Sequence, residues 1–99
     1  MFYLQDVNCA KFSVRNCRFE GVGVRVLDCR YYSHNVEFKE NVVKDCITAS
    51  IVKSNRGCYN LSVVNNRFEN NNLGMFKNPI VCAQGLTSYI ADNIADCPP

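Results

Sequence analysis

The run Arg30-Tyr31-Tyr32-Ser33-His34-Asn35 gathers two phenol rings, an imidazole and an amide into six positions. Flat rings that stack on sugars, beside donors and acceptors for hydroxyls, make Tyr31, Tyr32 and His34 candidate carbohydrate-binding residues. A second candidate set is a carboxylate pair, Asp45 and Asp96, 51 positions apart (96 − 45). If the fold stacks them two strand spacings apart, about 9.6 Å, they approach the separation of an acid and a base that invert a glycosidic centre, about 6.5–9.5 Å. Nothing in the chain matches a Ser/His/Asp set, a phosphate-binding loop or a dinucleotide fingerprint. His34 is the lone imidazole and the seven cysteines include no metal-type CxxC pair, so neither a metal site nor a cofactor is expected.

Positioning these groups falls to a repeat. Residues 9–19 and 58–68 share Cys, Ser, Val, Asn, Arg and Phe in place, at an offset of 49. Weaker copies at 36–43 and 87–94 bring Val14, Phe38, Val63 and Tyr89 into line at steps of 24, 25 and 26. Each copy alternates like a strand with one buried face, and no helical period is visible. Further alternating pairs follow in three copies (Val24/Val26, Ala49/Ile51 and Leu73/Met75), giving about three short strands per unit of roughly 25 residues. Strands that recur with their copies pair in parallel with the same strand one coil on, which makes a solenoid.

The motifs Val14-x-x-Cys17-x-Phe19, Phe38-x-x-Asn41-x-Val43, Val63-x-x-Asn66-x-Phe68 and Tyr89-x-x-Asp92-x-Ile94 resemble the repeats of the right-handed parallel β-helices of pectate-lyase-like proteins and bacteriophage tailspikes. The resemblance covers nearly the whole chain. It implies an all-β fold, a right-handed parallel β-helix of about four coils with three short strands each. Residues 1–99 then form one domain, a fragment or stacking unit of a longer β-helix. The family includes lyases, hydrolases, adhesins and virion spikes, so the resemblance implies a fold more than an activity.

In that frame three inward ladders are expected: Phe12, Val36, Leu61 and Thr87; Val14, Phe38, Val63 and Tyr89; Phe19, Val43, Phe68 and Ile94. Cys17, Asn41, Asn66 and Asp92 form a column at a bend, where a side-chain amide bonds its stacked neighbour and the turn backbone. Gly21, Asp45, Asn70 and Asp96 form another, and turn chemistry alone accounts for those residue types. The cysteines are expected to be reduced and to pack as small hydrophobes. Glu20, Lys44 and Glu69 form an outward charge ladder worth little individually. Tyr3, Leu27, Val52 and Phe76 are expected on one exterior face, an apolar stripe suited to a three-fold axis or a neighbouring domain. Residues 30–35 are read as a stretched turn, because Cys29 to Val36 takes seven positions where Cys58 to Leu61 takes three.

Eleven Lys and Arg against nine Asp and Glu leave a formal charge of +2 with no basic block, so nucleic acid is not an expected partner. No apolar run is long enough for membrane insertion. The expected function is a virion tailspike or cell-surface segment that binds polysaccharide, assembles through the apolar stripe into a homo-oligomer such as a trimer, or stacks on neighbouring coils. The alternative is a fragment of a polysaccharide lyase or glycoside hydrolase, and the expectation leans away from catalysis by this chain alone.

Overall fold

The computed structural model describes residues 2–4, 10–30, 32–48, 50–71, 79–85 and 87–95, with side chains from residue 11 onward. Among the described residues there is no helix. The strands are β1 (Phe2–Leu4), β2 (Ala10–Arg15), β3 (Arg18–Glu20), β4 (Leu27–Cys29), β5 (His34–Lys39), β6 (Val42–Lys44), β7 (Val52–Ser54), β8 (Tyr59–Val64), β9 (Arg67–Glu69), β10 (Val81–Ala83), β11 (Ser88–Ala91) and β12 (Ile94–Ala95). They form three four-stranded sheets in the orders β1-β4-β7-β10, β2-β5-β8-β11 and β3-β6-β9-β12. Every pairing is parallel. The chain therefore visits the three sheets in rotation, and each strand lies on the one three elements before it. We call one passage through the sheets a tier.

Alternation decides which side chains face inward. In β5 and β8, Val36, Phe38, Leu61 and Val63 are buried, while Glu37 and Ser62 between them face outward and are only partly covered. Phe19, Val43 and Phe68 are the buried centres of the three-residue strands β3, β6 and β9. The rings of Phe19 and Phe38 stack across a tier with centroids 6.2 Å apart. Each such burial contributes about 1.5–3 kcal/mol.

The bends come from left-handed residues in columns. Asn16, Glu40, Asn65 and Asp92 have φ of 53–57°, Gly21, Asp45 and Asn70 of 49–65°, and Lys11, Asn35 and Asn60 of 55–58°. Asn, Asp and Gly tolerate this region best, which is why polar residues recur between the apolar ones. Immediately after the first column runs a line of amides. Cys17 N–H donates to Asn41 Oδ1 (2.9 Å), Asn41 N–H to Asn66 Oδ1 (3.0 Å) and Asn66 N–H to Asn93 Oδ1 (3.0 Å). Each amide nitrogen donates to the tier before: Asn41 to Val14 O (3.0 Å), Asn66 to Phe38 O (2.8 Å) and Asn93 to Val63 O (2.9 Å). Asn71 repeats the device at the next corner, accepting from Cys46 N–H (3.0 Å) and donating to Val43 O (3.1 Å).

Four expectations are corrected. In the last tier Ile90, not Tyr89, is paired with Val63, Ser88 with Leu61 and Ala95 with Phe68. The whole tier is therefore shifted by one, and Asn93 rather than Asp92 continues the amide column. Second, Leu27 and Val52 are fully buried core residues and not an exterior stripe. The alternation is hidden there because Val26 and Ile51, at the bend before each strand, are also fully buried. Tyr3 is in register with Asp28 rather than Leu27, and Phe76 lies outside the described residues. Third, Val24 is exposed and not a core position. Fourth, residues 30–35 are not stretched: Cys29 pairs with Ser54, and both connections, Cys29 to His34 and Ser54 to Tyr59, take five positions. The longer connection lies between Glu69 and Val81, twelve positions against eight between Lys44 and Val52.

Free thiols pack as expected at Cys29, Cys46 and Cys58, which are buried, while Cys17 is exposed and Cys9 and Cys97 lie outside the described residues. Glu20, Lys44 and Glu69 share a register, but the ion pairs on that sheet run within strands, Arg18 with Glu20 and Arg67 with Glu69.

Candidate carbohydrate site at a stacked corner

The connections β4–β5 and β7–β8 lie at the same corner in successive tiers. Each closes a turn by one backbone bond between residues three apart. Ser33 N–H donates to Arg30 O (3.4 Å), and Cys58 N–H donates to Asn55 O (3.1 Å). The two corners are tied together by Asn55 N–H to Cys29 O (3.0 Å) and Tyr59 N–H to Ser33 O (3.2 Å). The Ser33 hydroxyl, buried, closes the first turn again by donating to Arg30 O (2.7 Å).

A cleft of about 350 Å³ opens on this corner, lined by Tyr32, Asn55, Arg56 and Gly57. Tyr32 is 58% exposed and Arg56 is exposed. His34 and Tyr59 occupy matching positions of β5 and β8, and their rings stack with centroids 4.6 Å apart and planes 2° off parallel. His34 Nδ1–H donates to Tyr32 O (2.9 Å). Of the expected sugar-binding residues, then, Tyr32 and His34 stand together, joined by that bond, and Tyr31 lies outside the described residues. Asn55, Arg56 and Tyr59 are additions that the sequence did not single out. One signal was present: Tyr59 follows His34 by 25 positions, one repeat.

Behind the cleft the corner is filled by thiol and backbone. Cys58 Sγ donates to Cys29 O (3.3 Å), and burial pushes the Cys58 thiol above its ordinary pKa, so it remains a packing thiol at neutral pH. Gly85, in the connection after β10, passes so close that a Cβ on it would lie 2.3 Å from Cys58 O.

The carboxylate candidate sits at a different corner, after β6. Asp45 is exposed with φ of 56°, and its Oδ1 accepts from Asn70 Nδ2 (2.8 Å) in the next tier. That is the behaviour of a turn residue bonded to its column neighbour. Asp96 lies outside the described residues. On the flank of the middle sheet, Arg15 donates to Glu37, and that bond, more than the charges of Arg15 and Lys39, holds the Glu37 carboxyl below the usual carboxylate range. Among the described residues no group of three or more His, Cys, Asp or Glu converges as a metal site, and no helix is long and apolar enough to cross a membrane. No family model, curated protein or solved structure matches the chain.

Proposed function

We propose that the chain is a right-handed parallel β-helix of about four coils and that its stacked corner binds polysaccharide, as a segment of a virion spike or cell-surface protein. The hand follows from the near-universal right-handedness of parallel strand–crossover–strand connections. The observation that carries the binding role is the open cleft in which an exposed tyrosine ring, an amide and a guanidinium lie together beside the stacked His34–Tyr59 pair. An exposed ring on a corner whose backbone is hydrogen-bonded stacks on a sugar, and the polar groups read its hydroxyls. Assembly with other copies or coils is assigned to the exposed apolar side chains Tyr89, Ile90 and Ile94 of the last described tier, because Leu27 and Val52 are interior and cannot serve.

Binding of oligosaccharides by the intact chain and by Tyr32→Ala, followed by calorimetry on whichever glycans an array selects, tests the site. Tyr32→Ala is expected to abolish measurable binding while leaving the circular dichroism spectrum unchanged. Unaltered affinity in that variant would remove the corner from the proposal.

A further inference from the structure

We infer that the polysaccharide bound at this corner carries negative charge and that Arg56 is the residue that reads it. The inference rests on the polysaccharide-binding proposal and adds the class of ligand. Its starting point is how the arginines are used. The chain has six, and five of them face a carboxylate: Arg15 with Glu37, Arg18 with Glu20, Arg67 with Glu69, and Arg25 and Arg30 with Asp28 at 3.8 and 3.4 Å. Arg56 is the exception among the described residues, with no carboxylate in ion-pair reach, and it is exposed.

Among the described residues its surroundings leave the charge unspent. The cleft it lines contains a phenol, an amide and a glycine, and none of these is acidic. Asn55 and Gly57 flank it in the turn, and Asp28, the carboxylate near this corner, is already shared by Arg25 and Arg30. A guanidinium presents a planar fork of donors that pairs two-pronged with a carboxylate, sulfate or phosphate and poorly with a single hydroxyl. Placed beside the Tyr32 ring, it suits a sugar unit whose face lies on the aromatic ring while its acidic substituent reaches the fork. Uronates, sulfated sugars and phosphorylated sugars share that chemistry.

The test is an array of acidic and neutral oligosaccharides probed with the intact chain, Arg56→Gln and Tyr32→Ala. The glutamine keeps the polarity of the exposed position and its folding is checked by circular dichroism. The expected result is retention of acidic glycans only, weakened about tenfold or more in Arg56→Gln because a charge-assisted pair is lost. Binding should also weaken steeply between low and high salt, and the arms carrying carboxylate, sulfate or phosphate identify which acid is read. Retention of neutral glycans with equal strength, unchanged in Arg56→Gln but lost in Tyr32→Ala, would overturn the charge inference and leave the polysaccharide site standing. Retention of no glycan at all would overturn both.

Discussion

Asn66 shows how much one side chain does in this fold. Its amide is 2% exposed, accepts from Asn41 N–H, and donates to Phe38 O and to Asn93 Oδ1. Alanine there strands a buried donor and a buried acceptor, each of which costs about 1–3 kcal/mol when left unpaired. Asn66→Ala is expected to lower stability by about 2–6 kcal/mol by the same reckoning, read as a fall in the urea midpoint without change of slope. A shift of only a few tenths would mean the column is decoration. Adjacent residues divide the labour: the first of each pair (Asn16, Glu40, Asn65, Asp92) takes the left-handed backbone, and the second (Cys17, Asn41, Asn66, Asn93) carries the column. Because Asp92 and Asn93 are both polar, spacing from Tyr89 alone pointed to the wrong one. The pairing of roles is the signal that separates them.

Among the elements, the strands were readable and the corners were not. Val14, Phe38 and Val63 stand out because large apolar residues at a constant step have nowhere to go but inward, and all three are buried. The last tier misled because Tyr89 and Ile90 are adjacent and both apolar, and only the backbone register tells which faces in. Leu27 and Val52 misled for a different reason: burial of Val26 and Ile51 beside them erases the period of two. Tyr32 and His34 were legible as aromatic and polar groups in a turn. Arg56 and Asn55 read as ordinary turn residues, and their meeting with Tyr32 exists only once two tiers are stacked. The corner also makes its own prediction. Gly85→Ala drives a methyl against the Cys58 carbonyl and is expected to cost about 1–3 kcal/mol, whereas Gly23→Ala, with nothing within 4 Å, is expected to be silent. Equal thermal midpoints for the two variants would show that the corners are not in close contact.

At the scale of the molecule the inward column is unevenly covered. Val14, Phe38 and Val63 are at most 4% exposed, but Ile90, paired with Val63 in the last described tier, is 48% exposed, and Tyr89 and Ile94, in the outward register of Ser62 and Arg67, are 62% and 64% exposed. Exposed apolar side chains gathered on one tier make a surface suited to association. Ile90→Lys is therefore expected to suppress concentration-dependent association in analytical ultracentrifugation, and an unchanged sedimentation profile would place any assembly elsewhere. The amide column has a further consequence for how the chain comes apart. Asn93 Oδ1 holds both the N–H and the side-chain nitrogen of Asn66, so losing Asn93 loosens the tier beneath it. The coupling runs along the column, with Asn93 bonded to Asn66 and Asn66 to Asn41, so a change at one amide reaches the next. Hydrogen exchange in Asn93→Ala would record it as faster exchange at Asn66 N–H and a smaller change at Asn41 N–H.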